Sequence, residues 1–412
     1  MPNRMTAIDA QFYWLSAKVP SDEIMLYAFD GQPTDFERAV EELGTRAQEC
    51  NALTIRVQDG SPLTYPRWVS TAVEPSQIVR HHLDDDSWHS CLKTVARLAD
   101  DPLDIRRAAW RMHVFTPVRD IPGGTGPGTV AVMQFAHALC DGPRAINMAA
   151  WLFGREVPVP AVARESRGFL PWRAIEAARA HRRQLSDTHS GLLPAAIGPR
   201  PARATNARPT GRRSVRTLLR HRSQLDGPTA TVAALAAVSG ALSGHLGNRD
   251  ESLVAEVTMA KPGVPHSHNH FANATVGLYP GLSRPARAQR IAADLANARR
   301  RSEHPAARAE DRAFAATPAP LLRWGIGLFD PEAQPSQVSG NTVVSSIYRG
   351  PADLRFGDVP VLLTAVYPGL SPAMSLVHGV WGIGDVVTVS VHAAESAVGD
   401  IDEYLARLDA EL

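Results

Sequence analysis

The residues with the clearest potential for chemistry are a histidine and an Asp-Gly pair in the first half of the chain. His137 follows a mostly apolar run, residues 130–136, that is typical of a buried strand, and Asp141 and Gly142 stand just before a predicted helix. A neutral imidazole at a strand end can take a proton from a hydroxyl or an amine near neutral pH, as acyl transfer without a covalent enzyme intermediate requires. The spacing also fits a structural interpretation, in which the strand ends and an Asp turn follows.

A second histidine pattern occurs earlier in the chain. His81 and His82 are followed by Asp86, but Ser87 stands where the first pattern has Gly142. This segment has the character of a strand that leads into a helix, and either Asp86 or Ser87 is a suitable helix cap. We therefore predict a structural role for these histidines.

Two further patterns resemble ligand sites. His266, His268 and His270 alternate, which could place three imidazoles on one side of an extended strand, but no Cys or carboxylate is adjacent. We expect a surface loop there and no metal site. The glycine-rich residues 121–128 join two predicted strands, and Pro127 removes one N–H donor, so we expect a flexible hairpin rather than a phosphate-binding loop.

The composition limits the function classes. The chain has 412 residues, of which 44% are hydrophobic, and a formal net charge of +1, so its surface as a whole gives no reason to bind nucleic acid. Its three cysteines, Cys50, Cys91 and Cys140, form no Cys-x-x-Cys pair, which indicates a reducing compartment. Residues 1–16 lack the apolar core of a secretory signal, and residues 229–242 are too few to span a bilayer. We expect a cytoplasmic protein, either soluble or peripherally associated with a membrane.

Charge is unevenly distributed along the chain. Residues 164–222 contain fourteen Arg against Glu165, Glu176 and Asp187, a local balance of +11. Two interpretations stay open for this Arg-rich segment. It is either a solvated linker or a basic surface for a nucleotide phosphate, a carrier protein or an anionic lipid.

The elements that must position His137 form two α+β halves. Apolar periodicity predicts helices at residues 36–48, 88–99, 172–185, 230–244, 286–302 and 401–412, and strands between them. No strand–turn–helix unit carries a Gly-x-Gly-x-x-Gly turn, which argues against a dinucleotide fold. We divide the chain into an N-terminal half, residues 1–157, a crossover linker, residues 158–211, and a C-terminal half, residues 212–412.

Residues 136–142 resemble the His-His-x-x-x-Asp-Gly motif of the CoA-dependent acyltransferase superfamily, which includes chloramphenicol acetyltransferase and condensation domains. Ala136 replaces the first His, and His137 stands at the second. The nearest branch is the bacterial wax ester synthase/diacylglycerol acyltransferase family, whose other motifs resemble further segments in the same order. These are residues 5–12, 102–110, 235–242, 273–280 and 343–347, the last of them shortly before Gly350 and Pro351.

The resemblance implies two related chloramphenicol-acetyltransferase-like layered domains with mixed sheets and a tunnel at their interface, with His137 near its middle. His137 is then the general base that deprotonates an acceptor hydroxyl, and an acyl-CoA or acyl-carrier thioester is the co-substrate, with no bound cofactor or metal. Asp141 and Gly142 are expected to be structural, with Asp141 in a salt bridge to an Arg. The candidates for oxyanion or substrate contacts are Ser345, Ser346, Trp110 and Asn273.

The sequence departs from the family at three motifs, which are occupied here by Ala136, by residues 108–109 and by residues 231–232. The wax or triglyceride product is therefore not implied. Two alternatives to a CoA-dependent O-acyltransferase stay open. One is an acyltransferase that uses a carrier-protein thioester in natural-product assembly. The other is a noncatalytic lipid-binding or scaffold member of the family.

Overall fold

The structure is a computed structural model that describes residues 3–163, 168–247 and 252–412. Arg164, Glu165 and Arg167 of the Arg-rich segment lie outside the described residues. The helices are α1 (Ala7–Ser16), α2 (Phe36–Glu49), α3 (Trp88–Leu98), α4 (Gly142–Leu152), α5 (Leu170–His189), α6 (Ala230–Leu246), α7 (Arg284–Glu303), α8 (Pro305–Ala315), α9 (Ala319–Gly327) and α10 (Ile401–Glu411). The strands are β1 (Asn3–Arg4), β2 (Glu23–Phe29), β3 (Ile55–Gln58), β4 (Arg67–Ser70), β5 (Ile78–His81), β6 (Trp110–Val118), β7 (Gly128–Phe135), β8 (Arg200–Pro201), β9 (Arg213–His221), β10 (Val254–Ala260), β11 (Phe271–Gly277), β12 (Gln337–Val338), β13 (Thr342–Tyr348), β14 (Arg355–Phe356), β15 (Val359–Tyr367), β16 (Leu376–Ile383) and β17 (Val386–Ala394).

Two six-stranded mixed sheets organise the protein. The first has the order β14-β15-β2-β7-β6-β5, with only β5 and β6 parallel, and the second has the order β11-β10-β13-β16-β17-β9, with β13 parallel to both of its neighbours. Two short sheets, β1-β4-β3 and β12-β8, lie beside them. The α+β class and the mixed sheets predicted from the sequence are confirmed. Within the described residues, the helices contain no stretch long and apolar enough to cross a bilayer.

The strand that leads to His137 is covered on both faces. Every residue of β7 is buried, and its side chains enter two different apolar clusters, with Met133 in one and Val132 in the other. A strand buried on both faces has a continuous apolar sequence rather than an alternating one, as residues 128–135 do. The glycine-rich connection before it joins the antiparallel strands β6 and β7, as predicted.

The second sheet is packed against a helix of small residues. In α6, eleven residues are buried, most of them Ala or Val, and the helix contacts α7, α10 and β16. Thr229 caps its first turn by accepting the N–H of Val232, and Gly247 ends it in the left-handed conformation, with φ of 62°. Small side chains allow helices to approach each other closely, so the core of the second half is built around α6.

One strand of the C-terminal half belongs to the first sheet. β15 pairs antiparallel with β2, and Thr364 lies opposite Tyr27. β15 also lies against β16 of the second sheet, so it connects the two sheets. The sequence division at residue 211 therefore does not separate the two sheets completely.

Much of the Arg-rich segment is neutralised within the molecule. Three arginines of β9 pair with carboxylates from elsewhere in the chain, Arg213 with Asp100, Arg216 with Asp402, and Arg220 with Asp409. These acidic partners account for part of the negative balance of the rest of the chain. Along α5, by contrast, Arg179, Arg182 and Arg183 are exposed, and within the described residues they form no ion pair. The segment is therefore neither a simple linker nor a uniformly free basic surface.

Gly379 lets β16 approach β15. A Cβ atom at this position would lie 2.6 Å from the carbonyl oxygen of Val366 and 2.5 Å from Oγ of Ser390. We expect Gly379→Ala to destabilise the protein by about 1–3 kcal/mol, because the backbone of β15 must move. Urea unfolding measures this change. Gly399→Ala is the matched control, since no atom lies within 4 Å of the added methyl group. Equal stabilities of the two variants would contradict the close contact.

Candidate active site

His137 lies two residues beyond β7, at the predicted strand end, and its side chain is 17% exposed. The ring of Phe12 stacks on the imidazole, with 3.9 Å between the ring centroids and 14° between the planes. The ring of Phe271 lies on β11 at 5.7 Å. Because Phe12 comes from α1 and Phe271 from the second sheet, His137 is held where the two halves of the chain meet.

The tautomer of His137 follows from its hydrogen bond to Asn269. The Nδ1 atom of His137 lies 3.0 Å from Oδ1 of Asn269, and the Asn269 amide nitrogen donates to the carbonyl oxygen of His137 at 2.9 Å. An amide oxygen can only accept, so Nδ1 carries the proton. The lone pair is therefore on Nε2, where the imidazole can act as a base.

Asp9 fixes Asn269 in place. Its buried carboxylate accepts hydrogen bonds from the hydroxyl of Thr6 at 2.7 Å, from the backbone N–H groups of His268 and Asn269 at 3.1 Å each, and from the Asn269 amide at 3.1 Å. Burial raises the pKa of Asp9 to about 6 in spite of these donors. The first helix of the chain thus positions the residue that orients His137.

The expectation of a surface loop at residues 266–270 is wrong for its central part. His266 is exposed, but His268 and Asn269 are 8% and 4% exposed, and the backbone of the loop donates to two carboxylates. The loop is held in the interior because its backbone N–H groups donate to the carboxylates of Asp9 and Asp141. Within the described residues no group of His, Cys, Asp and Glu side chains could hold a metal ion.

Asp141 makes hydrogen bonds to backbone amides and does not form the predicted Arg salt bridge within the described residues. Its carboxylate accepts the backbone N–H of Arg144 at 3.0 Å, which caps α4, and the backbone N–H of His270 at 2.8 Å. In the described part of the chain no guanidinium lies within ion-pair distance of Asp141. Backbone amides therefore satisfy this carboxylate in place of an Arg.

Gly142 permits a close contact between the halves. A Cβ atom at Gly142 would lie 2.5 Å from Cδ1 of Ile347 on β13. Since side chains alternate along a strand, Ser345 lies on the same face of β13 as Ile347, toward the first half. Ser346 lies on the opposite face, where its hydroxyl contacts the hydroxyl of Thr231 on α6 at 2.6 Å. Of the two serines, only Ser345 is on the face that points toward the His137 motif.

The other two candidates make their side-chain hydrogen bonds to residues other than His137 and Asp141. Trp110 is fully buried in the core of the first half, and its indole N–H donates to the carbonyl oxygen of Leu53 at 2.8 Å. Asn273 is exposed on β11 and donates to Glu256 at 2.6 Å. Trp110 is bulky and apolar enough to fill the core, and Asn273 lies two residues beyond Phe271, on the same strand but outside the contact with His137.

A carboxylate lies near the free nitrogen of His137. Oε1 of Glu23, the first residue of β2, is 3.7 Å from Nε2, and the Glu23 side chain is 22% exposed. Burial raises the pKa of Glu23 above its ordinary value. An imidazolium formed at His137 would be stabilised by this neighbour in its ionised form.

The earlier histidine pattern has the structural role predicted for it. Nε2 of His81 lies 2.8 Å from Nδ1 of His113, His82 is exposed, and Ser87 caps α3 by accepting the N–H of Ser90. The pattern therefore marks the entry to α3.

A large cavity opens beside the support of His137. It has a volume of about 1040 Å³, and Asp9, His268 and Asn269 form part of its wall. Lys261 and Arg308 also line it. The cavity brings basic side chains close to the residues that hold the imidazole.

Comparisons with known proteins show how this arrangement is related to others. No protein-family model and no curated protein sequence matches the chain. The wax ester synthase/diacylglycerol acyltransferase from Marinobacter aquaeolei VT8 aligns with a TM-score of 0.66 and 16% sequence identity, over 99% of this chain and 98% of that chain. The starter condensation domain of rhizomide synthetase, in complex with C8-CoA and Leu-SNAC, aligns with a TM-score of 0.62 and 13% identity, over 100% of this chain and 92% of that chain. The first condensation domain of the CDA synthetase aligns with a TM-score of 0.60 and 15% identity, over 100% of this chain and 96% of that chain.

The chain has the fold of these acyltransferases and condensation domains. The resemblance seen in the sequence is thereby confirmed for the fold, along the full length of the chain. It also shows which of the site residues that were not predicted lie in segments that resemble the family. Asp9 and Phe12 lie in residues 5–12, which resemble the start of the acyltransferase family, so a signal for them was present. Asn269 and Glu23 lie in no such segment.

The buried Asp9 makes a distinct contribution to the pH dependence of stability. The carboxyl group of Asp9 loses its proton near pH 3.8 in the unfolded chain and near pH 6 in the folded chain. Between these pH values the folded state therefore binds more protons. Its stability therefore falls as the pH rises through this window, by roughly 3 kcal/mol. Between pH 4 and pH 7 we expect the free energy of unfolding of the wild type to fall by about this amount relative to that of Asp9→Asn, because the Asn side chain does not titrate.

Urea unfolding of both proteins at the two pH values measures this difference. Asp330→Asn, at an exposed position, is the control for the substitution itself. A constant difference between wild type and Asp9→Asn at both pH values would contradict the raised pKa.

Proposed function

We propose that the protein is an O-acyltransferase that moves an acyl group from a CoA thioester to a hydroxyl acceptor, with His137 as the general base. The observation that carries this proposal is the Asn269 hydrogen bond, which leaves the lone pair of His137 on Nε2. The shared fold with an acyltransferase and with condensation domains supports acyl transfer as the reaction class.

In the proposed reaction, Nε2 of His137 removes the proton of the acceptor hydroxyl as its oxygen attacks the thioester carbonyl. The resulting tetrahedral intermediate carries a negative oxygen, for which Ser345 on β13 is the candidate donor. The C–S bond then breaks, and the CoA thiolate takes the proton from the imidazolium. The ester and free CoA leave, and no covalent enzyme intermediate forms.

Two neighbours support His137 in this role. Asn269 keeps Nδ1 protonated throughout, because its amide oxygen accepts in both charge states of the ring. Glu23, 3.7 Å from Nε2, stabilises the imidazolium while the proton is held there. Both are positioning residues, since they act through His137 rather than on the substrate.

Acyl-CoA is the proposed donor, and no bound cofactor or metal takes part. The rhizomide condensation domain was solved with C8-CoA, which makes an acyl-CoA a reasonable donor for the same fold. The cavity beside Asp9 and Asn269 has the exposed Arg308 in its wall, which offers positive charge for the phosphates of CoA, whereas Lys261 is paired with Asp311. A cytoplasmic location is consistent with Cys50, Cys91 and Cys140, all of which are free and buried.

Replacement of His137 tests the proposal. We expect His137→Ala to lower acyl transfer by roughly a hundredfold to ten-thousandfold, because the general base is lost. A panel of acyl-CoA donors and alcohols provides the assay, with ester detected by mass spectrometry and CoA by its free thiol. His82→Ala, at an exposed histidine with the same sequence spacing, is the matched control and should retain full activity.

Two results would contradict this mechanism. Unchanged turnover in folded His137→Ala would remove His137 from the chemistry. Absence of thiol release with every donor in the wild type would favour the noncatalytic lipid-binding or scaffold alternative.

A carrier-protein thioester is the second candidate donor, and the exposed arginines of α5 favour it. Arg179, Arg182 and Arg183 have no ion-pair partner among the residues that the structure describes, unlike the arginines of β9. An acidic carrier protein could dock on them, and such a contact would be screened by salt over about 10 Å at 0.1 M.

Replacement of these three arginines by Gln separates the two donors. With an acidic acyl-carrier donor, we expect the apparent KM to rise roughly three- to tenfold at low salt while the maximal turnover changes little. The effect should disappear at high salt. The same enzyme should show no change with acyl-CoA. Replacing Arg107, which is 90% exposed, by Gln controls for a general change of surface charge. Equal kinetics with the carrier donor before and after the triple substitution would reject docking on α5.

A further inference from the structure

An arginine is buried between the two sheets. Arg349 directly follows β13, and its backbone N–H donates to the carbonyl oxygen of Gly382 at 2.7 Å. The residue is 3% exposed. Its guanidinium carbon lies 3.5 Å from the ring centroid of Trp381 and 4.3 Å from that of Tyr27, over the faces of both rings. Two aromatic faces therefore hold the guanidinium, and its hydrogen-bonding edge is left for another group.

Among the described residues the guanidinium has no carboxylate partner, and the polar side chain that interacts with it is the hydroxyl of Tyr27. None of Nε, Nη1 and Nη2 of Arg349 makes a hydrogen bond to another group there, and no Asp or Glu carboxylate in residues 3–163, 168–247 or 252–412 forms an ion pair with it. Burial lowers the pKa of Arg349 to about 10, so the group still carries its charge at neutral pH. A buried charge without a partner is strongly unfavourable, so this position calls for an anion.

The surroundings of Arg349 are also polar. The indole N–H of Trp381 and the hydroxyl of Thr364 are buried and make no hydrogen bond within the described part of the chain, and the buried hydroxyl of Tyr27 interacts with the guanidinium of Arg349. Tyr27 and Thr364 are directly opposite each other on β2 and β15, so their side chains share one face of the first sheet. Buried polar groups are almost always satisfied, and a cluster of this kind requires a common explanation.

The cluster lies on the same side of the sheets as His137. Glu23 and Tyr27 are four residues apart on β2, which places them on one face and about 13 Å apart along the strand. In the second sheet, Ser345 on β13 and Arg349 just after it are likewise four residues apart, so an extended backbone places them on one face. The catalytic histidine and the buried guanidinium thus mark two ends of one interface between the sheets.

We infer that Arg349, with Tyr27, Thr364 and Trp381, binds the carboxylate of an extended substrate whose reacting group lies at His137. One guanidinium balances one carboxylate, and the planar fork of Arg matches the two carboxylate oxygens. That the carboxylate belongs to a substrate rests on the proposed function, but the binding of a carboxylate does not. The carboxylate can come from the far end of the acyl chain or from the far end of the acceptor.

Binding is tested without turnover. Isothermal titration calorimetry compares dodecanedioate with dodecanoate, which differ only by the second carboxylate. We expect the wild type to bind dodecanedioate roughly ten- to a hundredfold more tightly, and Arg349→Met to lose this preference. Arg107→Met, at an exposed arginine, should keep it. Thr364→Val, which removes only a hydroxyl, should weaken the preference and provides a second variant if Arg349→Met does not fold.

Kinetics then distinguish the two sources of the carboxylate. If the acyl chain carries it, an ω-carboxyacyl-CoA should have a lower KM than the plain acyl-CoA with the same alcohol. If the acceptor carries it, an ω-hydroxy acid should have a lower KM than the plain alcohol with the same donor. Arg349→Met should abolish either difference.

Equal affinity of the wild type for dodecanedioate and dodecanoate would overturn the inference. So would a preference for dodecanedioate that survives in folded Arg349→Met. If dodecanedioate binds in the expected way but no acyl donor is consumed, the carboxylate site stands and the proposed acyltransferase activity fails.

Discussion

The site depends above all on the buried carboxylate of Asp9. Four donors converge on it, three of them from residues 268 and 269, and one of those donors belongs to the amide that orients His137. A loop with a buried backbone needs acceptors for its N–H groups, and Asp9 and Asp141 provide them from the first half of the chain. The position of the imidazole is therefore a consequence of satisfying buried polar groups. If the two halves separated, these groups would lose their hydrogen-bond partners.

Arg349 is the opposite case, a buried charged group whose hydrogen-bonding capacity is not satisfied by the described part of the protein. The four donors that converge on Asp9 all have its carboxylate as their acceptor, whereas the guanidinium of Arg349 has no carboxylate partner among the described residues. Both clusters are nearly inaccessible to solvent, so solvation cannot explain the difference. The hydrogen bonds of Asp9 stabilise the fold, whereas the guanidinium of Arg349 is suited to binding a ligand.

Sequence patterns predicted the parts of the structure that depend on local periodicity and capping. Helices such as α2 and α3 begin and end within a few residues of their predicted limits, since their apolar faces repeat with the helical period and Asp35 and Ser87 cap them. His137 was identified because a buried strand leads to it. Asn269, Glu23 and Arg349 were not, because their roles arise from contacts with residues that are distant in the sequence, such as His137 for Asn269 and Glu23 and Tyr27 for Arg349. The burial of His268 was missed for the same reason, since no local pattern shows that Asp9 lies above the loop.

Because β15 comes from the C-terminal half but belongs to the first sheet, the order in which the chain is synthesised affects how this sheet forms. On the ribosome, residues 23–29 emerge long before residues 359–367, and until the latter arrive the edge of β2 has no partner on that side. β2 is almost entirely apolar and buried in the finished protein, so its open edge is a site for wrong pairing with other chains. The first sheet is thus completed only near the end of translation, and this edge of β2 stays open during that interval.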